Sequence, residues 1–143
     1  MIHKDQPRVR RSVRSLAWAG VLALVLLTPA AAQVQQRVDV VIKDFTFITH
    51  QVPLQLHVPI LITIRNDDMV RHDFGTPVFQ GTMTQVESDG VISYGREIGG
   101  VYVDPKHAAA IRFTLSNPGR YQFKCSIHPA MKGELLMMNV GAV

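Results

Sequence analysis

The stretch Tyr121 to Gly133, Tyr-Gln-Phe-Lys-Cys-Ser-Ile-His-Pro-Ala-Met-Lys-Gly, constrains this chain more than any other. Its first five residues read as a strand, Pro129 and Gly133 punctuate the next eight, and an apolar run continues from Gly133 to Val140, so the segment predicts strand, short loop, strand. The loop begins with the only cysteine in 143 residues. A lone cysteine is a free thiol, an intermolecular crosslink or a metal ligand, and in isolation it is most often a small buried hydrophobe. Its neighbours decide. Cys125, His128 and Met131 put a thiolate, an imidazole and a thioether within seven residues, a soft donor set that suits copper better than zinc, calcium or magnesium.

An ion that cycles between Cu(I) and Cu(II) is served by two imidazoles and a thiolate in a trigonal arrangement, with a weak axial thioether. The second imidazole must then come from a distant part of the chain, and His72 is the best candidate. It follows the turn Asn66-Asp67-Asp68 that ends an apolar strand over Ile60 to Arg65, so it projects from a strand end. His50, His57 and His107 read as exposed strand-end or turn residues. Met137 and Met138 fall on opposite faces of the last strand, so at least one only packs. Met69 and Met83 matter only if copper is handed on.

The rest of the chain reads as a scaffold of strands. Val38, Val40 and Ile42 alternate from Gln36 onward, and Phe45 and Phe47 continue the run as its aromatic end. Pro53 and Pro59 bracket a short alternating piece, Leu54 to Val58. Ile111, Phe113 and Leu115 share a face, and Asn117-Pro118-Gly119 makes a turn. Between Thr76 and His107 the glycines interrupt every apolar run, which predicts loops with at most brief strands and room for one short helix. Many short strands, turn-rich connections and no amphipathic helix predict an all-β sandwich or barrel.

The first 32 residues read as a leader outside that domain. Arg8, Arg10, Arg11 and Arg14 precede an apolar run from Leu16 to Leu27, and small residues at Ala30 and Ala32 precede Gln33, the order of a cleaved secretory signal. The apolar run is shorter than the roughly 20 residues that span a bilayer, so stable membrane insertion after cleavage is not expected. The division is therefore 1–32 signal peptide and 33–143 one domain, with a periplasmic or otherwise exported location. Removing the leader takes away five of 15 basic residues and one of 11 acidic ones, leaving ten of each. The basic pI belongs to the leader, and a nucleic-acid partner has no support from charge.

The run Pro53 to Phe74, with Pro118 to Gly133, resembles the small cupredoxins, the plastocyanin, pseudoazurin and amicyanin group. The likeness is spread from about Val38 to Val140, and the two-residue gap between His128 and Met131 looks most like the short amicyanin-type ligand loop. It implies a Greek-key β-sandwich, one copper ion, and His72, Cys125, His128 and Met131 as its ligands, while the 52 residues between His72 and Cys125 exceed the span expected of the smallest members and predict an irregular insertion between the two ligand loops over Thr76 to His107. One departure stands beside the first histidine, where an Asn usually ties the two ligand loops together; here it is Asp73, which when ionised accepts but cannot donate.

Four protein donors leave no position for a substrate, so the expected role is outer-sphere electron transfer, not an enzymatic one. The expected partners are transient redox proteins of the c-type cytochrome or oxidase class. The alternative is a periplasmic copper protein that buffers, delivers or detoxifies the metal through an acceptor protein. A binuclear centre would need a second cysteine. Met131 is a poor zinc ligand, and a thiol hydrolase would lack a third group to orient His128.

Overall fold

Alternation sets the faces of the strands, and the inward faces make the core. The computed structural model describes residues 35–138 apart from residue 52, so the leader 1–32 and the end of the expected last strand near Val140 lie outside the described residues. In chain order the strands are β1 (Gln36–Lys43), β2 (Thr46–His50), β3 (Leu54–Gln55), β4 (Ile60–Asn66), β5 (His72–Gly75), β6 (Thr84–Ser88), β7 (Val91–Gly95), β8 (Gly100–Val103), β9 (Ala108–Phe113), β10 (Gly119–Lys124) and β11 (Lys132–Met138). A 3-10 turn over Pro77–Phe79, capped by the Thr76 hydroxyl, is the one helical element among the described residues.

Two sheets form, ordered β2-β1-β4-β9-β6-β7 and β3-β11-β10-β5-β8. Neighbours in space are often distant in sequence, and β1 runs parallel to β4 although two strands intervene, the crossing connectivity of a Greek-key sandwich. The chain is all-β, as its pattern predicts. Val38, Val40 and Ile42 of β1, Ile60, Ile62 and Ile64 of β4, and Ile111 of β9 are buried from one sheet. Phe74, Val101, Val103, Phe123, Leu135 and Met137 are buried from the other, while Met138 is exposed on the opposite face of β11. Burying each such large side chain contributes about 1.5–3 kcal/mol.

The aromatic residues gather at one place in this core. Phe74 and Phe123 stack with centroids 4.6 Å apart, and Phe47 meets both edge-on at 5.9 and 5.2 Å. Gly133 lies opposite Phe123 in the β10–β11 ladder and leaves room for its ring.

One feature departs from the sequence reading. Phe45 and Phe47 do not continue β1. The chain reverses at Asp44-Phe45, both with positive φ (51° and 57°), and β2 returns antiparallel with Ile42 opposite Phe47. A two-residue hairpin loop with positive φ at both positions follows the sheet's twist, though such loops favour Asn-Gly or Asp-Gly. The interval from Thr76 to His107 holds the 3-10 turn and three brief strands that serve different sheets. β6 and β7 form a hairpin on the edge of the larger sheet, with an Asp89-Gly90 turn, whereas β8 pairs with β5 beside His72.

Candidate metal centre

The strand period that builds the core also delivers two of the predicted ligands. His72 and Phe74 alternate on the inner face of β5, and Phe123 and Cys125 do so at the end of β10, so each ligand sits one step beyond a stacked phenylalanine. Both are fully buried. Cys125 Sγ lies 3.9 Å from His72 Nδ1 and 3.6 Å from His128 Nδ1. The two imidazole centroids are 4.7 Å apart, with planes tilted by 54°. The three donor atoms lie within 4.8 Å of one another, the one cluster of three or more His, Cys, Asp or Glu donors among the described residues. Two imidazole nitrogens converging on one sulfur fit a copper ion that prefers soft donors.

Backbone hydrogen bonds shape the loop that brings His128 back over Cys125. The Met131 amide donates to the His128 carbonyl at 2.9 Å, and the Cys125 amide donates to the Met131 carbonyl at 3.1 Å. Met131 is thereby buried at the base of the loop, while Ser126, Ile127, Pro129 and Ala130 are exposed. His50, His57 and His107 are not buried, and none joins the cluster.

A network of polar contacts holds these ligands. Asn66, buried at the end of β4, donates from Nδ2 to the carbonyls of Val70, Val103 and Asp104 and accepts from the Asp68 amide, which sets the path of the chain into His72. Asp68 Oδ2 lies 2.9 Å from His72 Nε2. That contact favours the proton on Nε2 and leaves the Nδ1 lone pair facing Cys125 Sγ. Burial alone would raise the Asp68 carboxyl, but the amides of Phe45 and Asp44 and the His72 ring together hold it below the ordinary carboxylate range.

Asp73 joins the two ligand segments. Its Oδ1 accepts from the Ser126 amide at 2.7 Å and from the Ser126 hydroxyl at 3.1 Å, and its backbone amide donates to Cys125 Sγ at 3.5 Å. The link expected of an asparagine is thus made by acceptance at the carboxylate and donation from the main chain. The Cys125 thiol donates to Asp73 Oδ1 at 3.1 Å. Burial pushes the thiol up, and that bond to Asp73 adds to the rise. We expect Asp73→Ala to destabilise the metal-free protein by about 1–3 kcal/mol, because the Ser126 amide loses its partner, and Asp73→Asn to restore most of it through the same acceptor oxygen. Urea midpoints of the three proteins measure this; equal midpoints for Asp73→Ala and the parent would dismiss the link.

Sequence reading missed Phe45 and Asp68. Phe45 meets both imidazoles edge-on, with centroids 5.4 Å from His72 and 5.0 Å from His128. One mark of this was present in the sequence. The alternating apolar positions switch from even numbers in Val38, Val40 and Ile42 to odd ones at Phe45 and Phe47, the parity change that a two-residue reversal imposes on a strand pair. Nothing local distinguishes Asp68 from Asp67.

Comparison with known proteins adds the family. The family model described as "Cupredoxin-like domain" matches residues 16–137. No curated protein matches the chain. Among solved structures it is similar to a multicopper oxidase of Pseudomonas thermotolerans at 13% identity and TM-score 0.53, covering 73% of this chain and 29% of that one. It is similar to the McoA multicopper oxidase of Aquifex aeolicus at 17% identity and TM-score 0.50, covering 78% and 30%. The Cu(I) form of a methionine-to-alanine mutant of amicyanin matches at 20% identity and TM-score 0.44, covering 70% and 80%. The chain spans less than a third of the length of the multicopper oxidases it resembles. The likeness to the two oxidases shows the fold.

Proposed function

The chain belongs to the cupredoxin-like family, and on that premise we propose that it is an exported mononuclear copper protein that passes single electrons between partner proteins. The observation that carries this reading is the convergence of His72 Nδ1 and His128 Nδ1 on Cys125 Sγ, with Asp68, Asp73 and the loop backbone in contact with these residues. Copper bound there would supply a one-electron couple. His72, Cys125, His128 and Met131 would hold the ion, a soft donor set that would need little rearrangement between oxidation states.

The buried and exposed parts of the site divide the work. Cys125 is enclosed and leads into β10, whereas His128 is only partly buried and is flanked by exposed Ile127, Pro129 and Ala130. That rim suits brief apolar docking by a redox protein of the c-type cytochrome or oxidase class, because small, uncharged contacts release quickly. The mature protein, once loaded with one equivalent of Cu(II), is expected to be intensely blue through thiolate-to-copper charge transfer. Its paramagnetic resonance spectrum should report strong thiolate coupling. A colourless Cu(II) form would sink the proposal.

One observation favours a second reading, copper delivery to an acceptor protein. Met69, 77% exposed on the turn between Asn66 and His72, leaves a soft sulfur open to solvent on the segment that leads into His72. Met83 gives it no support, because it lies with Pro59 and Ile60 at the other end of β4. Fast electron exchange with a c-type cytochrome and retention of copper against an apo-acceptor would favour the carrier; the reverse pair of results would favour delivery.

A further inference from the structure

We propose that Phe45 is a positioning residue of the metal centre, a ring held over both imidazoles by an unfavourable hairpin turn. The role rests on reading His72 and His128 as copper ligands. Asp44 and Phe45 have φ of 51° and 57°, in the left-handed region where a bulky side chain is rare. The chain solves the same geometric problem at β6–β7 with Asp89-Gly90, the favoured pair for such a turn. Glycine at position 45 would therefore suit the hairpin better than phenylalanine does, so the needs of the turn do not explain the residue.

The contacts of the ring do explain it. Phe45 stands nearly perpendicular to His72 and to His128, at 83° and 85°, the edge-to-face arrangement that aromatic pairs prefer. His72, which the ring touches, is fully buried, while about half of the surface of Phe45 itself remains exposed. The turn is also tied to the ligand it covers. Asp68 accepts from the Asp44 amide at 2.7 Å through Oδ1 and from the Phe45 amide at 3.0 Å through Oδ2, and the same Oδ2 faces His72 Nε2. One carboxylate thus fixes the backbone beneath the ring and the imidazole under it. Strain held in place by its surroundings at a functional site is a recognised pattern, and here the strained residue touches two ligands.

For the loaded protein the ring has two effects. By limiting rotation of His128 it slows escape of the metal, and by excluding water it favours the oxidation state of lower net charge, Cu(I). Phe45→Gly separates these effects from fold stability, since glycine relieves the turn and removes the ring. The metal-free variant should melt within a few degrees of the parent. Its imidazole C–H proton resonances should lose their ring-current displacement, release of copper to a chelator should be about 3- to 10-fold faster, and its equilibrium with a reference redox couple should move toward Cu(II). Phe45→Tyr should restore all three. Phe45→Leu keeps bulk and backbone strain without the aromatic edge and gives a second reading should the glycine variant fold poorly; it too should lose the ring-current displacement and release copper faster. A blue parent whose Phe45→Gly and Phe45→Leu variants keep its release rate and redox equilibrium would overturn this role alone. A parent without the thiolate colour would overturn the ligand assignment and this role with it.

Discussion

Cys125→Ser is expected to abolish the visible charge-transfer band and to weaken copper binding by more than about 100-fold, beyond what loss of an outer partner of a ligand costs. The reason is electronic. A serine hydroxyl is a hard donor that stays protonated near neutral pH, so His72 and His128 would be left with no anionic, polarisable partner. The fold should survive the change. Cys125 is fully buried at the end of β10, and a hydroxyl there still accepts from the Asp73 amide and still donates to the Asp73 carboxylate, as the thiol does. Thermal melting of the metal-free variant should therefore lie near that of the parent. Cu(II) titration followed in the visible region gives the other half of the result. Colour retained by Cys125→Ser would exclude Cys125 as the ligand, and a large fall in stability would assign it a mainly structural part.

Gly100→Ala is expected to be the most damaging small substitution outside the ligands, with a loss of about 3 kcal/mol or more. A Cβ at position 100 would lie 2.3 Å from the Phe74 carbonyl oxygen and 2.7 Å from the Gly75 Cα. Both are backbone atoms, so no side chain can turn aside. Relief requires β8 to move away from β5, where Gly75 faces Gly100 and His72 faces Val103. The metal centre should suffer with the fold, because β5 carries both His72 and Asp73. Gly99→Ala is the matched control: a Cβ there meets nothing within 4 Å, so its urea midpoint should stay close to that of the parent. Equal stability of the two variants would mean that the β5–β8 pair is not under this constraint.

The β5–β8 pair also marks the boundary between what could be read in the sequence and what could not. Alternation in Val38 to Ile42, in Ile60 to Ile64 and in Ile111 to Leu115 announced strands, because a half-buried strand must place apolar residues at every second position. The spacing of Cys125, His128 and Met131 marked a candidate ligand loop, since donors so close together share one turn of chain. Gly100 carried no such signal. Its need for a missing side chain comes from Phe74 and Gly75, which precede it by a whole hairpin and more. Asp73 was legible as a departure from the usual asparagine, but its contact with Ser126 belongs to the meeting of two loops. Phe45 was read as the tail of a strand because Asp44-Phe45 lacks the usual chemistry of a tight reversal.

The sequence by itself determined the class of structure and marked Cys125, His128 and Met131 as candidate donors, since strand period, turn residues and donor spacing are local properties that each act within a few residues. Only the tertiary structure decided which oxygen orients His72, how Asp73 joins the loops, and why a phenylalanine occupies a turn that glycine would fill more easily. Those contacts span 23 residues between Phe45 and Asp68 and 53 between Asp73 and Ser126. They exist because the packing of two sheets brings strand ends together at one edge of the core, where a hydrogen bond depends on position in space and leaves no period in the chain.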